Sequence, residues 1–300
     1  MAKTITAIAT PFGTGAIGVV RVSGDDALNI ANQVFKTKKL DNFCNAIPNY
    51  MYLGRLNCEE FCDECLAVYF KAPHSFTGED VVEFQCHGGV RLLEEVVKTL
   101  ISKGATLADK GEFTKQAFLN GKMSLSEAEG IIDMINSENI ASLNAGYRQM
   151  SGHLNKKVKE IENLILDITA QLEASLDYPE ELEEEVRENL PNSLNNIKVR
   201  IKQLLDTANT GKIIKNGINV AIIGMPNIGK SSLLNAILGK DRAIVTDIAG
   251  TTRDTLEERI ERKGIFINFV DTAGIRDTQD TVEKIGVDKA YSSAENSDII

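Results

Sequence analysis

Gly224, Gly229, Lys230 and Ser231 stand in the order G-x-x-x-x-G-K-[ST] within the stretch GMPNIGKSS. That order holds polyphosphate. The glycines let successive backbone N–H groups turn toward phosphate oxygens, the start of a following helix adds a favourable field, Lys230 reaches the terminal phosphates and Ser231 offers its hydroxyl to Mg²⁺. Downstream, FINFVDTAG brings Asp271, Thr272, Ala273 and Gly274 to the end of an apolar run. An aspartate there can hold the magnesium shell, and a glycine N–H can sense a γ-phosphate. Between the two lies IVTDIAGTTRDT, residues 244–255, whose adjacent Thr251 and Thr252 can complete that shell. D-x-x-G or a threonine pair alone is a weak signal; in this order and spacing they point to a P-loop nucleotide hydrolase.

A loop that cradles phosphates does not by itself hydrolyse anything. Ras-type GTPases set a glutamine directly after the glycine of D-x-x-G to orient the attacking water. Here that position is Ile275. A hydrocarbon cannot hold a water, so the catalytic machinery must differ.

Two further groups could do chemistry. Arg21 lies inside the apolar run IGVVRVSG and Glu83 inside VVEFQC; either would be costly if buried unpaired, and a solvated strand face accounts for both equally well. CEEFCDEC sets Cys58, Cys62 and Cys65 at a spacing that can hold a [4Fe–4S] cluster. The interleaved Glu59, Glu60, Asp63 and Glu64 would add charge to an already anionic thiolate site, and LAVYF after it reads as a strand. The favoured reading is a turn entering a β-strand, with Cys44 and Cys86 as small core residues in a reducing compartment.

The elements that must position these residues fall into three stretches. In residues 1–122, runs 4–9, 17–22, 66–70 and 81–86 are strand-like, with turn formers Pro11, Gly13 and Gly15 between the first two. ALNIANQVF and RLLEEVVKTLISKG are helical, the second closed by Gly104 at C′, so an α+β domain is expected. In residues 123–215, Leu154, Val158, Ile161, Ile165, Ile168, Leu172 and Leu176 recur three and four apart, and Leu190, Leu194, Ile197, Ile201, Leu204 and Leu205 repeat the stripe. Pro179 breaks the first helix, and the acidic run after it reads as a solvated loop or helix face. An α-helical bundle is the expected packing. In residues 216–300, INVAII, the glycine-rich loop and a helix ending at Gly239 give strand, loop and helix, with a strand pair from near Leu256. This is an α/β P-loop domain.

The chain has 300 residues, 43% of them apolar, enough for two or three cores, and a net charge of −10. A whole surface gripping nucleic acid is excluded by that charge, so any RNA contact is local. No run of eighteen apolar residues appears, and the start MAKTITAIATPFG lacks a secretory signal pattern. A cytoplasmic location is expected.

GMPNIGKSSLLNAI, IVTDIAGTTRDT and DTAGIRDTQDTVEKIGV resemble the G domain of the MnmE/TrmE family, GTPases that modify tRNA wobble uridines. ATPFGTGAIGVVRVSG, SFTGEDVVEFQCHGG and GEFTKQAFLNGK resemble that family's N-terminal domain. The resemblance implies GTP on Asn227, Ile228, Gly229, Lys230, Ser231 and Ser232, on the switch segment Thr246, Asp247, Ile248, Ala249, Gly250, Thr251 and Thr252, and on Asp271, Thr272, Ala273 and Gly274. It implies Mg²⁺ on Ser231 and Thr252. It implies K⁺ on Asn227, Thr246, the Ile248 carbonyl and Thr251, in the place of an arginine finger. Glu283 takes the catalytic role of orienting the water. It also implies a 5-formyl-tetrahydrofolate site with Arg21, Glu83 and Lys122, the flavoprotein MnmG and tRNA as partners, and a homodimer through the N-terminal domain. A ribosome-assembly or signalling GTPase with a non-catalytic N-terminal module is the competing expectation.

Some positions depart from the family. Thr14 and Ala16 replace an arginine and a glycine in P-P-G-R-G-G-I-G, and Lys110 stands where proline is common. The sequence ends at SDII, where the next strand of the G domain is expected, before any N-K-x-D guanine-reading segment. A C-terminally truncated, incomplete G domain with weak nucleotide binding is the expectation. Isothermal titration with GDP measures it, and sub-micromolar binding contradicts it.

Overall fold

The computed structural model describes residues 3–224, 228–239, 258–270 and 297–300. Their contacts divide the chain into two units, Met1–Ala128 and Glu129–Ile300.

The first unit is built on a seven-stranded sheet. Its strands are β1 (Ile5–Ile8), β2 (Ile17–Ser23), β3 (Phe35–Lys36), β4 (Met51–Asn57), β5 (Cys62–Phe70), β6 (Val81–His87) and β7 (Thr106–Leu107), in the order β3-β4-β5-β6-β2-β1-β7. Only the β1–β7 pair is parallel. Helices α1 (Ala27–Val34) and α2 (Val90–Ser102) supply the apolar cover. Burial alternates along the middle of β2 and β6: Val20, Val22, Val82, Phe84 and Cys86 are buried in the core, while Arg21, Glu83 and Gln85 are only partly covered. Period-two alternation therefore sends the two sets to opposite faces of the sheet. Phe35 stacks edge-on against Phe43 at 5.0 Å and lies 5.9 Å from Phe84. A fully buried phenylalanine contributes roughly 1.5–3 kcal/mol by area.

α2 presents Leu93, Val96, Val97 and Leu100 inward, the three-and-four spacing of an amphipathic helix. Gly104, expected at C′, is there. It lies at φ +111° with its N–H on the Ile101 carbonyl, and the Ala105 N–H reaches the Leu100 carbonyl, the paired bonds of a Schellman stop. The four expected strands form. β5 begins four residues before the LAVYF run, because the two-residue turn Glu59-Glu60, closed by Cys58 N–H on the Phe61 carbonyl, is a hairpin that already pairs Asn57 with Cys62.

Helices α3 (Glu112–Leu119) and α4 (Leu125–Ile135) follow β7, and in the second unit α5 (Ile140–Met150) packs beside α6 (His153–Asp177) and α7 (Pro179–Asn216). The break falls where Pro179 placed it, and that residue opens α7 at the first helical position, where a missing N–H costs nothing. The acidic run forms an exposed helix face, with Glu180, Glu181, Glu183, Glu184 and Glu185 all exposed. α6 and α7 run antiparallel, tied by Arg200 to Glu160 at 3.6 Å. The expected burial of the two leucine stripes is only partial: Ile197 is 7% exposed, yet Leu176 is 81% and Leu205 64% exposed. Two paired helices cover one flank of each stripe and leave the other flank to solvent. Among the described residues, no helix is long and apolar enough to cross a membrane.

α7 leads into β8 (Ile218–Ala221), which pairs in parallel with β10 (Ile265–Val270); β9 (Glu258–Arg262) closes a hairpin onto β10. Helix α8 (Lys230–Leu238) sets Leu234 and Leu238 against Ile260 and Phe269. On the other side of β8, Ile299 forms a parallel bridge with Val220 and accepts the Ala221 N–H at 2.9 Å.

Replacing Gly104 by alanine forces a Cβ into the left-handed region. Urea unfolding of Gly104→Ala is expected to show about 1 kcal/mol lower stability; an unchanged midpoint would contradict this account of the α2 stop.

Candidate functional site

The strand register brings Arg21 and Glu83 directly opposite each other on β2 and β6. The guanidinium Nε and one terminal nitrogen both lie 2.7 Å from Glu83 Oε1. Both side chains are about four-fifths covered, so each answers the desolvation of the other. Neither sits on the freely solvated face that the sequence left open as an alternative. The Arg21 guanidinium also lies between two rings, 5.1 Å from the centroid of Phe76 and 5.2 Å from that of Phe113.

Beside Glu83 is a cavity of 340 Å³ whose lining includes Asn49, Phe70, His74, Phe76 and Val81. The segment 71–80 that forms one wall is held by side chains. Asp80 Oδ1 accepts from the Tyr69 hydroxyl and from the Ala72 N–H, each at 2.9 Å. The Ser23 hydroxyl donates to Glu79 Oε2 at 2.8 Å and lies 2.7 Å from the Thr77 hydroxyl. Lys122 joins this wall: its Nζ donates to the Pro73 carbonyl at 2.8 Å, and Asn120 Nδ2 donates to the Thr77 carbonyl at 2.8 Å. The structure thus pairs Arg21 with Glu83 and fastens Lys122 to the same wall without a direct contact between Lys122 and that pair.

Burial, then the hydrogen bond and charge of Asp80, push the Tyr69 hydroxyl up to about 12. Phe76, Phe113, Tyr69 and Asp80 escaped the sequence reading. Aromatic residues carry no periodic signal in a loop, and only the fold shows that they converge on Arg21.

Gly229 is left-handed at φ +99° and caps α8, as the phosphate-loop pattern requires. Lys230 opens that helix, and its Nζ donates back across the loop to the Gly224 carbonyl at 2.7 Å. Ile228 and Ser232 are exposed, and Ser231 is in the first turn of α8. Asn227, Thr246, Asp247, Ile248, Ala249, Gly250, Thr251, Thr252, Asp271, Thr272, Ala273, Gly274 and Glu283 lie outside the described residues.

The three cysteines of the C-x3-C-x2-C spacing do not converge. Cys62 is exposed while Cys65 is buried, and no group of three or more His, Cys, Asp or Glu suited to a metal occurs among the described residues. A hydrogen bond with Cys65 and burial raise the Cys86 thiol above its ordinary range, and burial raises Cys58 despite a hydrogen bond from Thr99. Such thiols stay protonated and serve as packing groups. Cys86 is core, as expected. Cys44 is not: Phe43 takes the core position on that short turn, leaving the Cys44 thiol half-exposed, 3.6 Å from Asn29 Oδ1. Asp63 is also a correction, since it is buried against His87 rather than adding to a solvated acidic turn.

Comparison with known proteins gives two family matches: "GTP-binding protein TrmE N-terminus" over residues 4–122 and "MnmE helical domain" over residues 125–300. The tRNA modification GTPase MnmE of Petrotoga mobilis is 48% identical over 299 residues, which is 99% of this chain and 65% of that protein. The protein of the same name from Clostridioides difficile is 46% identical over 301 residues, again 99% of this chain and 65% of the relative. The chain spans about 65% of the length of these curated relatives.

Tyr69 has a folded-state pKa above its unfolded value of about 10. Its contribution to stability is therefore complete below about pH 10 and fades as pH rises through about 12. Denaturant midpoints across that window are expected to fall less steeply in Tyr69→Phe than in the wild type; parallel curves would show that the Asp80 bond does not hold the phenol neutral.

Proposed function

This chain belongs to the MnmE/TrmE family, and on that footing we propose that it is a potassium-activated GTP hydrolase of tRNA wobble-uridine modification that uses a folate one-carbon unit. The division we propose is an N-terminal folate-binding and dimerisation domain at 1–122, a helical domain at 123–215 and a P-loop G domain at 216–300.

One observation carries the hydrolase reading. Ala221 and Val270 are register partners in a parallel pair, so β8 and β10 end at the same edge of the sheet, and in sequence the glycine-rich loop follows the first and D-T-A-G the second. Ligands of α/β sheets bind at the carboxyl ends of such strands. Lys230 at the start of α8 and the left-handed Gly229 before it suit a loop whose N–H groups face phosphate. The Ile299 bridge on the far side of β8 extends the order to β9-β10-β8 followed by one more strand, as a doubly wound sheet would continue.

In this reading Lys230 neutralises the β- and γ-phosphate oxygens, and Ser231 and Thr252 hold Mg²⁺. Asn227, Thr246, the Ile248 carbonyl and Thr251 hold K⁺, which when bound supplies the positive charge an arginine finger supplies elsewhere. Glu283 orients the attacking water, which answers the hydrocarbon at Ile275. Arg21, Glu83 and Lys122 bind the folate. A flat pterin fits an aromatic cavity with one carboxylate at its edge, because a carboxylate accepts from the ring's N–H groups. Tetrahydrofolate, GTP, tRNA, MnmG and a second copy of the chain are the partners of this reading, in the cytoplasm.

GTP turnover, measured with nucleotide in excess, is expected to be faster in potassium than in sodium. Asn227→Ala removes that difference, and Glu283→Ala lowers kcat ~100-fold or more. Equal rates in the two salts would remove the potassium reading, and an unimpaired Glu283→Ala would remove the water-activating role.

A further inference from the structure

The β9–β10 hairpin is covered on both faces. Register partners share a face, so Ile260, Ile267 and Phe269 pack with α8, while Arg259, Phe266 and Asn268 stand on the other side. On that second side Phe266 is 7% and Asn268 8% exposed. The cover comes from the helices of the same unit. Asn268 donates to the Asn216 carbonyl at the end of α7. The Arg259 guanidinium lies 3.6 Å from the Phe266 ring centroid and pairs with Glu138, in the connection between α4 and α5. Lys215, in the last turn of α7, lies 2.7 Å from Asp133 Oδ1 on α4. The hairpin turn is close as well: a Cβ at Gly264 would come within 3.8 Å of the Ala141 Cβ in the first turn of α5.

This joint is unevenly satisfied. Asn139 caps α5, its Oδ1 accepting the Ser142 N–H at 2.7 Å. Its Nδ2 is nonetheless buried without a hydrogen-bond partner, and so is Arg259 Nε. Arg259 pairs with the residue next to Asn139, so the two unmet donors fall at one contact. Each is a cost in this arrangement, and an arrangement that supplies acceptors competes with it. The ion pair itself holds weakly, because the Glu138 side chain is 53% exposed and water screens it. The sequence on either side shows what could drive a change. β9 follows segment 244–255, and β10 runs directly into Asp271, Thr272, Ala273 and Gly274. In the hydrolase reading both segments contact the terminal phosphates, so the hairpin is tethered at both ends to groups that respond to a γ-phosphate.

We propose that Arg259 and Glu138 form the contact through which γ-phosphate occupancy is passed from the β9–β10 hairpin to the start of α5, by loosening the joint at Asn139. The proposal rests on the hydrolase reading above and adds a route out of the nucleotide site. Arg259 and Glu138 are positioning residues, acting through the hairpin and the α5 cap.

Amide hydrogen exchange of this chain tests it, with Mg²⁺ and saturating GDP or guanylyl imidodiphosphate. The Ser142 and Leu143 amides are both held by Asn139. They are expected to exchange about fivefold faster with the triphosphate analogue than with GDP, the lower end of coupling between two sites. Arg259→Ala removes that difference, whatever it does to the absolute rates, and the swapped pair Arg259→Glu with Glu138→Arg restores it. Arg259 covers Phe266 and its loss can unfold the hairpin, so Glu138→Ala, at an exposed position, decides. Equal rates with the two nucleotides in the wild type overturn the coupling contact, and so does a difference that survives Glu138→Ala. Slowed exchange at Gly229 and Lys230 with both nucleotides then leaves the hydrolase reading standing. No slowing there with either nucleotide removes that reading and the coupling with it.

Discussion

The apolar residues of the first sheet pack with α1 and α2 in one continuous cluster, and the contents of the candidate ligand site follow from that one-sided cover. Because a strand sends alternate side chains to opposite faces, filling the core with Val20, Val22, Val82, Phe84 and Cys86 fixes what their neighbours must do. Arg21 and Glu83 are placed opposite each other by the same register that buries the valines. A one-residue slip would bury the ion pair and expose the core together. The pair's position is thus enforced by the hydrophobic effect summed over many side chains, and the attraction between the two charges only refines it.

The second unit obeys a different constraint. Its three-stranded sheet combines a hairpin, β9–β10, with a parallel neighbour, β8, and a parallel pair needs a long connection because its strands start at the same edge. That connection contains α8, and β8 ends at the shared edge just before the glycine-rich sequence. Asn268 is buried in this sheet and is satisfied by the Asn216 carbonyl and the Asn219 side chain, each at 2.9 Å. A polar residue inside a small core of this kind fixes which strands are neighbours, since any other pairing would leave its amide without partners.

How much of this could be read beforehand varied with the kind of signal. Strands β2 and β6, the stop at Gly104, the break at Pro179 and the strand, loop and helix around Lys230 all have local causes, in alternation, a left-handed glycine, a ring without an N–H, and a phosphate pattern. Each was legible. The early start of β5 was not, because Cys62 and Asp63 have no apolar alternation of their own and are recruited by pairing with β4. Nor was the role of Asp63, since nothing in CEEFCDEC distinguishes the one acid that meets His87 across the sheet from the three that face water. The incomplete burial of Leu176 and Leu205 shows a further gap: a stripe announces that a face is apolar, and says nothing of whether a neighbour is present to cover it. The switch segment and Glu283 lie outside the described residues, so their assignments stand on resemblance.

α7 ends at Asn216 and β8 begins at Ile218, which leaves Gly217 as the whole connection. A side chain there would meet the Phe266 carbonyl at 2.6 Å, and the Asn216 carbonyl is already held by Asn268. With φ at +80° and no room for a Cβ, this one-residue joint is restricted to glycine. The 38-residue helix, ~57 Å long at 1.5 Å per residue, therefore runs into the strand ahead of the glycine-rich loop through a single residue.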